Sequence, residues 1–309
     1  MGEHFRDERK RIIKEKPDVV VADSRYSIIP ASKVAKAPRI YITNQPTVFL
    51  PKPQKTASGI IYPLQRISNW FNYRVLSGQD EILLPDFPQP YSISKKHMEF
   101  DKAPKKFKSK INFVGPIASN RPENIKKSDV IKVCKKYNVE PKKFIYIAFS
   151  GPGKIRKEIR DAIFDLFKDY EMPAVMGMGN IGDFKINKKG NLILVDGWIK
   201  ERGELLEGCN TVISRAGLST LSEIVAFGKK TIVIPQTNQP EQESNARGIE
   251  NLGIAKKIKP DNINKFILKR EIEDLNPSKT NIEKVKKLAK EMNGEKKSAE
   301  IILNYLKTH

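Results

Sequence analysis

Cysteine and histidine are scarce in this chain. Among 309 residues there are two cysteines, Cys134 and Cys209, and three histidines, His4, His97 and His309. The cysteines lack metal-ligand spacing and the histidines stand far apart, so neither a disulfide framework nor a zinc site is expected. Reduced thiols suit the cytoplasm. Long apolar runs are also missing: none approaches the ~18 residues that span a bilayer. The opening MGEHFRDERKRIIKEK is charged and has no apolar centre, so it is not expected to be a secretory signal. The expected location is cytoplasmic, with peripheral attachment to the cytoplasmic membrane face as a further possibility.

Positive charge is abundant. Lysine and arginine number 57 against 36 acidic residues, a formal charge of +21. Such a field attracts anionic lipid, nucleic acid and anionic cosubstrates alike. Its densest cluster, Lys102 to Lys110, reads as a solvated loop, a membrane-surface contact or a nucleic-acid contact. No groove-reading helix or stacking aromatic motif accompanies the charge, so nucleic acid is not an expected partner.

The length suffices for about two domains. After a charged helix at 7–16, VVVA reads as a parallel-type strand. A loop from Asp23 to Ser27, a helix from near Pro30, and a strand from Arg39 to Thr43 follow, ending in Asn44-Gln45-Pro46. This order predicts α/β architecture with ligand-facing loops after the strands. Within Thr47 to Tyr73, the residues Ile61, Leu64, Ile67 and Phe71 form a roughly helical stripe. It reads as core packing or as an amphipathic surface entering a membrane interface beside Arg66 and Arg74.

Strands are expected near 79–85 and 111–117, and a domain boundary near residue 122. The first domain then covers 1–122 and the second 123–309. In the second, the strand FIYIAF runs into Ser150-Gly151-Pro152-Gly153 and a helix from Ile155 to Phe167. Strands at 174–176, 192–195 and 211–214 alternate with helices, and a last helix runs from Ile282 to Tyr305.

Val212 to Asn245 is the most informative stretch. A buried-type strand leads into Ser214-Arg215-Ala216-Gly217, then a helix carrying Glu223 on its second turn. A strand from Thr231 to Pro235 and a polar loop with Gln242 and Asn245 complete it. A glycine turn at a helix N-terminus makes an anion site, because unpaired backbone N–H groups and the helix dipole both face the ligand. Glu223 can accept hydrogen bonds from ribose hydroxyls, and Gln242 offers both donors and acceptors to a sugar.

The ordered run R-x-G, S/T-x-x-E, strand to Pro, Q-x-x-N-A resembles the donor motif of two-domain glycosyltransferases, with MurG-like enzymes as nearest kin. Those enzymes move N-acetylglucosamine from UDP onto a lipid-linked acceptor. The resemblance implies two Rossmann-like domains of GT-B type. It also implies a UDP-sugar cosubstrate, a lipid-linked or glycan acceptor, and a terminal helix returning to the first domain. Ala216, Gly217, Leu218, Ser219 and Thr220 would supply donors to the diphosphate, with Arg215 adding charge or bridging domains. Ser150, Gly151 and Gly153 match a second phosphate loop, although Phe149 stands where glycine is usual and Pro152 intervenes. Ile199 matches the residue that meets the uracil edge, or is simply core with Trp198. Asn245 is read as a sugar contact or as a helix cap.

No DxD-like pair stands in a suitable strand-loop setting, so metal-independent, inverting transfer is expected, with no cofactor. Asp23 and Asn44, at strand ends, are the candidates for base or acceptor contact. The chain lacks the Gly-rich, His-containing loop found early in the first domain of MurG-like enzymes. A first domain without its early strands is therefore expected, implying a missing N-terminal segment or a partner subunit. The alternative function is a nucleotide-sugar epimerase or a non-catalytic donor-binding subunit.

Overall fold

The computed structural model describes residues 2–34, 36–50, 58–149, 155–179 and 183–308. The chain divides into two units, Met1–Ile117 with Met292–His309, and Ala118–Glu291.

The first unit holds a four-stranded parallel sheet in the order β1 (Val20–Asp23), β2 (Arg39–Ile42), β3 (Glu81–Leu84), β4 (Ile111–Phe113). Its helices are α1 (Gly2–Glu15), α2 (Ile28–Ala31), α3 (Ser58–Leu76) and α4 (Lys105–Lys108). In β3 the residues Ile82, Leu83 and Leu84 are all buried, as a strand covered on both faces requires. VVVA suggests the same of β1, yet β1 alternates. Val20 and Ala22 face the core while Val21 and Asp23 are exposed, because one face of this strand is uncovered. Of the stripe on α3, Leu64, Ile67 and Phe71 are exposed as well and do not pack into a core, while the Ile61 side chain lies outside the described residues.

The second unit is a seven-stranded sheet. Its strands are β5 (Ile145–Ala148), β6 (Ala174–Gly177), β7 (Lys185–Lys189), β8 (Leu192–Asp196), β9 (Thr211–Ser214), β10 (Thr231–Val233) and β11 (Ala255–Lys257). Between them run α5 (Lys127–Lys136), α6 (Lys157–Leu166), α7 (Arg202–Gly208), α8 (Leu218–Phe227), α9 (Pro240–Asn251), α10 (Lys265–Glu273) and α11 (Lys279–Glu291). The spatial order is β11-β10-β9-β5-β6-β8-β7, parallel except for the edge strand β7. The chain builds outward from β5 through β6 to β8, then crosses back so that β9 lies on the other side of β5. That reversal makes β5 and β9 a topological switch point, where the loops beyond the strand ends diverge and leave a crevice for a ligand.

The single helix expected from Ile282 to Tyr305 is two. The chain breaks at Met292-Asn293, where the Asn293 side chain accepts from the Lys296 N–H at 2.9 Å and starts α12 (Gly294–Thr308). Gly294 has no room for a side chain, since a Cβ there would lie 2.3 Å from the Gly115 carbonyl oxygen. α12 belongs to the first unit, packing Ile301, Ile302 and Tyr305 on Ile40, Leu83 and Val114. Sequence reading also missed β7, whose exposed KINKK has no apolar pattern, and the short β11 and α10.

Candidate functional site

The loops after β5 and β9 flank the switch point, with Ala148 in register with Ser214. Of the loop after β5, Ser150, Gly151 and Gly153 lie outside the described residues. Its exit is held by Arg156, whose guanidinium donates to the Thr237 hydroxyl at 2.8 Å and pairs with Asp261 at 2.6 Å.

The turn after β9 is fully described. Ser214 and Ala216 are buried completely and Arg215 nearly so, with burial pulling the Arg215 pKa below its usual value. Gly217 is the N-cap of α8, with φ −74° and ψ 131°, and no side chain caps the helix. That backbone suits any residue, and a Cβ added at Gly217 would meet nothing within 4 Å. The glycine is therefore not required by the protein's own packing, and its front is open. Leu218, Ser219 and Thr220 form the first turn, with Ser219 exposed and the other two buried. Asn245 does not cap a helix. It lies inside α9, and its amide donates to the Ala216 carbonyl at 3.0 Å, fixing the turn from behind.

Glu223 is 3% exposed. Its carboxylate accepts from the Asn120 amide at 2.7 Å and pairs with the Arg202 guanidinium at 2.7 Å. Arg202 also donates to the Thr220 hydroxyl at 3.2 Å, tying two positions of α8 to the start of α7. A buried carboxylate needs partners, and here the chain supplies them. Nothing in the sequence marks Asn120 or Arg202, one beside the expected domain boundary and the other opening the short helix α7. Arg121, also within the second unit, is docked there too, donating to the Ala289 carbonyl at 3.1 Å. Burial drives the Tyr146 hydroxyl's pKa upward, with Arg202 acting the other way.

Gln242, in the first turn of α9, accepts from the Gln236 N–H at 2.8 Å through its carbonyl oxygen. Ile199 is buried, against Gly177 at the end of β6. Trp198 beside it is 73% exposed, which removes the core reading for that residue. In the first unit, Asp23 ends β1 in register with Ile42 of β2, two positions before Asn44. Asp23 is exposed and Asn44 half-buried. Among the described residues no group of three or more His, Cys, Asp or Glu is placed to hold a metal ion.

Residues 157–302 match the glycosyltransferase family 28 C-terminal domain. An uncharacterized glycosyltransferase of Methanosarcina acetivorans is 26% identical over 290 residues, covering 93% of this chain and 73% of its own length. The UDP-N-acetylglucosamine--N-acetylmuramyl-(pentapeptide) pyrophosphoryl-undecaprenol N-acetylglucosamine transferase of Legionella pneumophila is 26% identical over 237 residues, covering 72% of this chain and 63% of its own. Among solved structures, the glycotransferase of kitacinnamycin superposes with TM-score 0.68 at 15% identity, covering 98% of this chain and 80% of that one. The MurG of Acinetobacter baumannii gives 0.54 at 13% identity, covering 92% and 72%. This chain is an enzyme, a glycosyltransferase with the GT-B fold. Within that class it is MurG-like.

Proposed function

We propose that the protein moves a sugar, N-acetylglucosamine or a related hexose, from a UDP-sugar to a lipid-linked or glycan acceptor, with inversion and without a metal. The observation that carries this reading is the open, uncapped start of α8 at Gly217, beside the switch point of the sheet. An acceptor oxygen attacks the anomeric carbon, the bond from that carbon to the diphosphate oxygen breaks, and the acceptor proton passes to a base. The negative charge gathering on the leaving UDP is met by the α8 N-terminus and Arg215, which do the work a metal does elsewhere. Asp23 is the proposed base and Asn44 an acceptor contact.

Ile199 is assigned to the uracil edge, Gln242 to the sugar through its amide nitrogen, and Glu223 to the ribose. Because Glu223 is already paired, a ribose hydroxyl must replace Asn120 or share the carboxylate with Arg202. Calorimetry with UDP in EDTA tests this. Binding is expected without metal, and Glu223→Ala should weaken it about tenfold or more, roughly 1.4 kcal/mol. Unchanged affinity in the variant overturns the ribose assignment, and no binding by the unaltered protein overturns the donor site.

The acceptor side is proposed to work at an anionic membrane surface. α3 exposes Tyr62, Ile67, Trp70 and Phe71 beside Arg66 and Arg74, and α4 carries Lys105, Lys106 and Lys108. Among the described residues no helix is long and apolar enough to cross a membrane, so attachment would be peripheral. Each basic side chain contributes about 1 kcal/mol near an anionic surface. The protein should sediment with anionic vesicles at low salt and be released at high salt. Equal binding to neutral vesicles, or none to either, overturns this placement.

A further inference from the structure

Before its last turn, where Tyr73 and Leu76 join the core, α3 is built the reverse of an ordinary amphipathic helix. Its apolar residues Tyr62, Leu64, Ile67, Trp70 and Phe71 face outward, while Gln65, Asn69, Asn72 and Tyr73 turn inward at i, i+4, i+7 and i+8 spacing. The inward side chains are spent on one irregular segment, residues 46–50, which follows Asn44 and has no strand or helix to satisfy its backbone. Backbone groups withdrawn from water need partners, and α3 supplies them. The Asn69 carbonyl oxygen accepts from the Val48 N–H at 2.8 Å, and the Gln65 carbonyl oxygen lies 3.4 Å from the Leu50 nitrogen. The Tyr73 and Thr47 hydroxyls are 2.7 Å apart.

Asn72 differs from the rest because it serves two loops. It is 4% exposed, and both ends of its amide are used. Its nitrogen donates to the Pro46 carbonyl at 2.8 Å, in the loop after β2. Its oxygen accepts from the Tyr26 hydroxyl at 2.7 Å, in the loop after β1. Tyr26 in turn packs its ring on Tyr41 of β2, with centroids 5.8 Å apart. These two loops follow Asp23 and Asn44. One buried amide on a third element thus fixes the spacing of the loops at two neighbouring strand ends.

We infer that Asn72 is a positioning residue for acceptor transfer, holding the Asp23 and Asn44 strand ends in one arrangement through Tyr26 and Pro46. The inference rests on the acceptor-side reading of Asp23 and Asn44 given above. It extends that reading to a side chain that touches neither substrate.

The test uses the full chain with Asn72→Ala, Tyr26→Phe and Asn69→Ala. Hydrogen exchange, read by mass spectrometry, should rise in Asn72→Ala in the peptides covering both 24–27 and 44–48. Asn69→Ala should loosen 46–50 alone, and Tyr26→Phe 24–27 alone. Transfer is read as radiolabel from UDP-N-acetylglucosamine entering lipid extracted from the source organism's membranes. In Asn72→Ala, kcat should fall about tenfold, the scale of cost expected when reacting groups are misplaced. Affinity for UDP should stay within about twofold, since the donor residues lie in the other unit.

Tyr26→Phe removes one hydroxyl and keeps the ring. It should lower kcat by a few-fold, and it decides the matter if Asn72→Ala does not fold. Exchange rising in one loop only in Asn72→Ala overturns the joining role. Both loops loosening with kcat unchanged overturns the positioning role. If the unaltered protein transfers no label, the transfer reading falls and the positioning role with it, while the exchange pattern still decides whether Asn72 joins the loops.

Discussion

α8 and α3 are both rich in apolar residues, and the protein uses them in opposite ways. From Leu218 to Phe227 every side chain of α8 except Ser219 is buried, and glycines stand at both ends. Gly217 leaves the start open, and Gly228, at φ +60°, closes the end in the left-handed region. α3 shows solvent Tyr62, Trp70 and Phe71 and keeps its amides and Tyr73 inside. The difference teaches that an apolar helix is not thereby a core helix. α8 is buried on nearly every side, polar Thr220, Ser222 and Glu223 included, because a sheet and neighbouring helices enclose it, and it offers a ligand its first two turns. α3 offers a whole face and spends its polar groups on a loop.

The largest expected effect lies on the α8 side of this comparison. Leu221 is fully buried, and Leu221→Ala should cost about 3 kcal/mol in urea unfolding, from lost burial and an unfilled cavity. A loss under about 1 kcal/mol would mean that α8 is not the packed element described.

Next comes the residue after the α8 cap. Lys229 is buried, donating to the carbonyls of Glu207 at 2.9 Å and Cys209 at 3.2 Å. Burial pushes its pKa down to about 8 from 10.5, with the charge of Lys142 acting in the same direction. The folded protein therefore loses this proton near pH 8, and the unfolded chain only near 10.5. Between those values the unfolded state binds more protons, so this group's contribution to stability rises with pH. Below pH 8 the full penalty of the buried charge remains. Lys229→Met should flatten the pH dependence between 8 and 10 by roughly 2 kcal/mol relative to the unaltered protein. Parallel curves for the two would show that Lys229 stays protonated across this range.

Gly228 tests the α8 end directly. Gly228→Ala places a Cβ at φ +60° and 3.2 Å from Ile282 Cγ2. A cost of about 1 kcal/mol or slightly more in urea unfolding is expected from the left-handed backbone. A stabilised variant would mean that the α8 terminus rearranges.

The contrast also explains what was legible in the sequence. The α/β class, the strands around the Val212–Asn245 run and the helix bearing Glu223 follow from local patterns, with apolar strands read four or five residues at a time. The partners of Glu223 do not. Asn120 and Arg202 lie 103 and 21 positions away, and only the crossing of β9 back beside β5 brings such distant segments together. Asn72 was equally hidden, because its value lies in touching Tyr26 and Pro46, 46 and 26 positions off. The stripe on α3 was visible as a period, but a period cannot say whether core or solvent covers it. Only the burial of the opposite face settles that.

The smallest expected effect on stability falls on that stripe, and it sharpens the comparison most. Ile67 is 62% exposed on α3, beside Arg66 and one turn from Trp70, over whose ring Arg74 sits at 5.6 Å. Ile67→Ser removes apolar area that already faces water, so unfolding should change by less than about 0.5 kcal/mol. If the outer face enters a lipid surface, the same change gives up about 2 kcal/mol of burial there, and sedimentation with anionic vesicles should drop several-fold. Ile67→Ser and Leu221→Ala thus separate the two helices by opposite readouts. Vesicle binding equal to that of the unaltered protein would remove α3 from the membrane contact and leave the lysines of α4 to account for any sedimentation. A destabilisation near that of Leu221→Ala would show instead that the α3 stripe is packed.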